Sequence, residues 1–223
     1  MERILKKNSN KGFTLVEVLV ATTLIGVVMG GVYSTYYSQQ KSYVAQEQVA
    51  AMQQNLRAAM FYMEREVRMA GCDPTDLADP GVITATATSV NFTEDLDGDG
   101  TLSADEDITY SLNDSDGDGT VDLLDRNGQI VAENIDALDF VYLDETGNVL
   151  DDDGSGNVVA SIPLIRSIQV SLLGRTGRGD PGYTNNRTYN NLQPAPIYTA
   201  GGDSYRRRLL TTEIKCRNLG FGL

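Results

Sequence analysis

No histidine and no tryptophan occur in the 223 residues, only two cysteines, and only six prolines, of which Pro74 is the first. Without histidine there is no Ser-His-Asp or Cys-His nucleophile arrangement, no His-containing zinc site, and none of the commonest general base. Two cysteines cannot staple a disulfide-dense fold, and the composition is not collagen-like. Basic residues are scarce as well: 18 Lys and Arg face 31 Asp and Glu, a net charge of −13. A grip on nucleic acid needs clustered Lys and Arg, so none is expected. No nucleophile lies near a base in sequence and no phosphate loop is present, which points away from an enzyme. What is present is enough apolar material for a folded chain, 41% hydrophobic residues, in one ordinary domain plus an extra segment.

The charge is uneven. Residues 94–153 hold 20 acidic residues and one basic residue, Arg126, so this window carries −19 while the remainder carries +6. Carboxylates at that density repel one another unless cations screen them.

The N-terminus has the opposite sign. Residues 1–12 carry four basic residues and one acidic residue, and the next 21, Phe13 to Tyr33, carry one charge. As a helix those 21 residues rise about 31 Å, the thickness of a bilayer's hydrocarbon core. No small-residue cleavage signal follows the apolar run, which places any cut before it. Lys11-Gly12-Phe13-Thr14-Leu15-Val16-Glu17 resembles the type IV prepilin processing motif. The resemblance implies cleavage by prepilin peptidase between Gly12 and Phe13, N-methylation of Phe13, and a product of 211 residues (223 less 12). Gly12 suits such a cut, because a residue without Cβ lets a protease approach its backbone. A lone carboxylate inside an apolar span costs about 2.5–3.5 kcal/mol or more unless paired. The resemblance gives Glu17 the N-terminal amine of a neighbouring subunit as its partner during assembly. The alternative is a single-pass anchor whose Glu17 reaches the membrane surface.

With no proline to stop it, the helix is expected to run to Ala70, about 87 Å at the usual rise. Val49, Met52, Leu56, Met60, Met63 and Val67 recur at spacings of three and four and predict one face packed on a sheet. Gly71 supplies the stop. The ending Arg68-Met69-Ala70-Gly71 resembles PilW-type minor pilins.

Beyond the helix, alternating and β-branched runs at 82–93, 108–112, 129–143, 158–174 and 207–217 predict a mainly antiparallel sheet. The runs at 135–149 and 162–174 resemble the central strands of the PilW and GspJ-type group. Within the acidic window, Asp95, Asp97, Asp99, Gly100, Thr101, Ser103 and Glu106 fill positions 1, 3, 5, 6, 7, 9 and 12 of an EF-hand-type calcium loop. Asp114, Asp116, Asp118, Gly119, Thr120, Asp122 and Asp125 repeat the pattern with a shorter closing carboxylate. Both loops lie between strands rather than helices, and the other reading of their Asp-Gly repeats is plain hairpin turns. A third run, Asp151 to Gly156, lacks a closing carboxylate and reads as a turn. Cys72 and Cys216 are either a disulfide that staples the last strand to the helix or two buried free thiols. Residues 174–204 show no hydrophobic period, and their Tyr183, Tyr189 and Tyr198 are candidates to dock a partner. Arg-Gly-Asp at 178–180 is a tripeptide that chance supplies easily.

The expectation is therefore an α+β, pilin-like chain. It divides into a leader at 1–12, a transmembrane and filament-core helix at 13–33, an amphipathic spine at 34–71, and a β-rich head at 72–223. The head carries calcium-type loops at 95–106 and 114–125 and the long loop 174–204. By resemblance it is a minor pilin of type IV pilus assembly, placed near the filament tip. The expected partners are prepilin peptidase, other minor and major pilins, the inner membrane before assembly, and a tip adhesin. Its place is the inner membrane of a Gram-negative type cell, with the head in the periplasm, and then the pilus or pseudopilus. A GspJ-like pseudopilin of type II secretion, and a calcium-dependent adhesion module on a pilin stem, are the alternatives.

Overall fold

The computed structural model describes residues 12–114, 117 and 119–220. Its contacts divide the chain into two units, Met1–Gln46 and Glu47–Leu223, and one helix, α1 (Leu15–Met69), contributes to both.

In the first unit the helix has no core to join: from residue 12 to residue 44 every side chain is exposed, apolar ones included. A stretch of α1 is long and apolar enough to cross a membrane, and none of it is buried. The helix begins with a capping box. Thr14 Oγ1 accepts the Glu17 N–H at 3.2 Å, and Glu17 Oε2 accepts the Thr14 N–H at 2.8 Å and the Thr14 hydroxyl at 2.9 Å. Two backbone donors that the first helical turn leaves open are satisfied reciprocally.

In the second unit the expected stripe is the buried face of α1: Met52, Leu56, Met60, Met63 and Val67 enter the core, joined by Ala59, with Val49 packed at its margin. They meet a five-stranded antiparallel meander, β1 (Val82–Ala85), β2 (Ser89–Thr93), β3 (Asp107–Asn113), β4 (Leu123–Arg126) and β5 (Gln129–Ala132), in spatial order 1-2-3-4-5. They also meet a second antiparallel sheet. It is built from β6 (Ile135–Leu143), β7 (Val149–Leu150), β8 (Ser167–Arg175) and β11 (Arg207–Lys215), in the order 11-8-6-7. Gly174 of β8 passes so close to α1 that a Cβ there would lie 2.9 Å from Leu56.

Strand β8 is buried on both faces, and the reason is the segment expected to be a loop. Residues 174–204 instead form an antiparallel ribbon, β9 (Thr188–Asn190) and β10 (Pro196–Thr199). Tyr189 of that ribbon packs on Ala137 and Leu173 beside Ile197, Tyr198 and Leu209. The outer face of the sheet thereby gains a second, smaller core.

Candidate functional site

Gly12 and Phe13, the expected processing pair, are exposed, and an added Cβ on Gly12 would meet nothing within 4 Å. The bond between them is open to an enzyme. The rest of the leader lies outside the described residues. Glu17, four residues on, is held by its own helix through Thr14, a partner the sequence reading did not assign.

The first acidic loop is a built structure. Asp95 is fully buried; its Oδ1 accepts the Gly98 N–H at 2.8 Å and its Oδ2 the Gly100 N–H at 3.1 Å. Both glycines have positive φ, 71° and 79°, which the tight turn requires. Asp97 Oδ1 accepts the Asp99 N–H at 3.1 Å, and Asp99 Oδ1 accepts the N–H and hydroxyl of Thr101 at 2.8 and 2.7 Å. Carboxylate oxygens of Asp95, Asp97 and Asp99 lie within 4.8 Å of one another. Glu106 turns back over the loop: Oε1 accepts the Leu96 N–H at 2.8 Å and Oε2 the Ser103 N–H at 2.9 Å. The Ser103 N–H is the main cause that holds this carboxyl below its ordinary value. The three converging aspartate carboxylates are hard-oxygen donors of the kind calcium takes.

The loop rests on a neighbour the sequence reading passed over. Asp73 accepts the N–H groups of Thr75, Asp76, Ala78 and Asp79 and the Thr75 hydroxyl, at 2.8–3.2 Å. The turn so formed sets Leu77 under Gly100, where an added Cβ would meet it at 3.1 Å. The signal was a Cys-Asp-Pro-Thr-Asp run, in which an Asp side chain caps the backbone that follows it.

The second loop departs from expectation. Asp116 and Asp118 lie outside the described residues. Asp114 keeps the bond from its Oδ2 to the position-six N–H, of Gly119, at 3.0 Å. The Thr120 carbonyl, however, accepts the Asp122 N–H at 3.0 Å. Asp122 is ion-paired to Arg175. Asp125, the expected closing ligand, stands in β4 opposite Ser111, and its Oδ1 accepts the Gly128 N–H at 2.7 Å in the next turn. The Arg175 ion pair engages Asp122, and the Gly128 N–H engages one oxygen of Asp125, whose Oδ2, like Asp114 Oδ1, is buried without a hydrogen-bond partner. The third run is the turn it was read as: Asp151 and Asp153 accept N–H groups within 151–157, and Asp152 those of Val159 and Ser161.

Cys72 and Cys216 are free cysteines, which corrects the disulfide reading in favour of its alternative. They sit in different surroundings. Cys216 belongs to the apolar core, where burial pushes its thiol up to about 12. The Cys72 thiol is raised by burial and then by the charges of Glu94, Asp95 and Asp73. The staple between helix and C-terminus is made otherwise: Asn218 Nδ2 donates to the Met69 carbonyl at 3.2 Å, and Leu219 fills the space over Gly71.

The tyrosines of 174–204 differ in exposure, Tyr183 and Tyr198 being half-buried. Tyr189 is buried, Arg206 lies over Tyr183 at 4.4 Å and Arg207 over Tyr198 at 4.9 Å. Asp180 of the Arg-Gly-Asp run is ion-paired to Arg206 at 2.7 Å.

A further ionic cluster ties α1 to the meander. Glu66 Oε2 accepts the Tyr110 hydroxyl at 2.6 Å and Arg126 Nε at 2.8 Å. Beside it Glu94 is 2% exposed, and its Oε2 has no hydrogen-bond partner. Burial, then the Glu66 charge, raise its carboxyl to about 7.

Residues 7–33 match the family model of the prokaryotic N-terminal methylation motif. The chain is therefore type IV prepilin-like in its N-terminal segment. Among solved structures it is similar to a type IV-like pilin from Thermus thermophilus, at 14% identity and a TM-score of 0.49, over 74% of this chain and 97% of that one. No curated protein matches the chain.

Proposed function

We propose that this chain is a minor pilin that takes part in the assembly and initiation of a type IV pilus, near the filament tip, with a calcium-stabilised head. The observation that carries the reading is the methylation motif at 7–33, which takes in the apolar start of α1, together with the exposure of every residue from 12 to 44. An apolar surface of that length requires lipid before assembly and other helices after it. Prepilin peptidase cuts between Gly12 and Phe13 in this reading, and the head lies in the periplasm. Glu17 exchanges its Thr14 bonds for the N-terminal amine of a neighbouring pilin. Asp95, Asp97, Asp99 and Glu106 would hold calcium, whose charge offsets the repulsion among them; the contribution is structural.

The test is a strain lacking the gene, complemented with wild type or Glu17→Val, scored for surface filaments and for secreted exoproteins. Loss of filaments with normal secretion, restored by wild type and not by Glu17→Val, is the expected result. Normal filaments with failed secretion would refute the pilus assignment and indicate a pseudopilus.

A further inference from the structure

One long edge of the second unit is bare. Strand β11 pairs with β8 residue for residue, from Arg207 opposite Arg175 to Lys215 opposite Ser167, with no bulge. Among the described residues no strand lies on its other side, and residues 207–215 make no backbone hydrogen bond outside the sheet. In a strand of nine residues, alternate residues aim their N–H and C=O groups at that open side. The other sheet edges are short: β1 and β5 have four residues each, with irregular register, and β7 has two.

The edge also differs in charge from the acidic molecule that bears it. Arg206 and Arg207 are paired with Asp180, Asp136 and Asp203, whereas Arg208, Lys215 and Arg217 are exposed and form no ion pair among the described residues. The one acidic residue of β11, Glu213, faces inward bonds from Gln169 Nε2 at 3.1 Å and Ser167 Oγ at 3.5 Å. A basic, unpaired strand edge on a chain of net charge −13 combines backbone valence with a sign preference.

We propose that the outer edge of β11 docks an extended acidic segment of another protein, which joins the four-stranded sheet as an added strand. A second copy does not fit this role. Two β11 edges would bring like charges together. The acidic runs of this chain are folded onto their own N–H groups at Asp95, Asp99, Glu106, Asp144 and Asp153. Among the described residues these runs offer no free strand. The proposal does not depend on the pilin reading.

The experiment uses the full chain in detergent micelles and three labelled nine-residue peptides, read by fluorescence anisotropy. One alternates Val and Thr with Glu, one carries Lys for Glu, and one is the Glu peptide N-methylated at alternate residues. The Glu peptide should bind, roughly tenfold or more tightly than either of the others, and weaken with added salt. The triple variant R208E/K215E/R217E, altered only at exposed positions, should reverse the preference between Glu and Lys peptides. Failure of the Glu peptide to bind, equal binding of the N-methylated form, or an unreversed preference in the variant would overturn the proposal.

Discussion

The Glu66 cluster offers the most direct check on how the head is held to the helix. Both Tyr110 and Arg126 bond to one oxygen of Glu66, whose side chain is 10% exposed against 27% for that of Arg126. Removing one partner of a fully buried ion pair costs about 3–5 kcal/mol. Arg126 keeps a path to water, so Glu66→Gln should lose less, about 2–3 kcal/mol. Arg126→Met is the harsher change, because it leaves Glu66 and Glu94 with only the more exposed Arg65, 4.0 Å from Glu66, as a nearby cation; about 3–4 kcal/mol is expected. In the double variant the two losses should overlap by about 2 kcal/mol. For a chain of this size each kcal/mol moves the melting temperature by roughly 2–4 °C. The Glu66→Gln melt should therefore fall by about 4–12 °C, read from tyrosine near-UV circular dichroism of the full chain in micelles. A double-variant cycle that is additive within about 0.5 kcal/mol would show that the pair carries no coupling and refute the argument.

Calcium at 1 mM should raise the melting temperature by about 5–10 °C, the effect of roughly 2.7 kcal/mol from a ligand at a hundred times its Kd, and Asp95→Asn should abolish the response; a wild-type melt unmoved by calcium or by chelator would remove calcium from the reading. Gly174→Ala should destabilise the head by about 1–3 kcal/mol through overpacking against Leu56, and Gly174→Ala with Leu56→Ala should recover part of that loss by denaturant titration. Asp144 is held at about 2, chiefly by the Asn148 side chain, and Asp152 at about 2, chiefly by Ser161. Their folded values lie below the ordinary 3.8, so the stability they contribute is present above about pH 4 and is lost as pH falls toward 2. Asp144→Asn with Asp152→Asn should flatten the acid limb of an unfolding curve in that window.

Periodicity made the helix legible: the Met and Val stripe is the buried face, because spacing of three and four has no competing explanation over twenty residues. Sequence order failed where the stabilising partners are distant. The ribbon of β9 and β10 has few apolar residues, yet it is fixed by Arg206 on Asp180 and Tyr183, by Arg207 on Tyr198, and by Asn191 Nδ2 on Asp139 at 2.9 Å. Cation–π contacts and charged hydrogen bonds of this kind leave no period in the sequence. Arg207 carried no signal of burial in the sequence. Its side chain is 2% exposed, with Asp136 and Asp203 as its ion-pair partners.

The two calcium-type loops open alike and close differently. Both place an Asp at position one to accept the N–H of the glycine at position six, Asp95 with Gly100 and Asp114 with Gly119. They diverge at the closing residue. Glu106 has the reach to return its side chain to the Leu96 and Ser103 N–H groups while its carbonyl accepts the Glu94 N–H at 3.0 Å beside the start of β3. Asp125 is one methylene shorter and stands two residues inside β4, in a register that sets it opposite Ser111 and turns it toward Gly128. The hydrophobic pair Leu123 and Leu124, both buried, starts that strand, because burying two leucines is worth more than keeping a carboxylate aimed at a loop. A twelve-residue acidic pattern between strands thus keeps its closing side chain folded over the loop where its last position precedes the first buried apolar residue of the following strand.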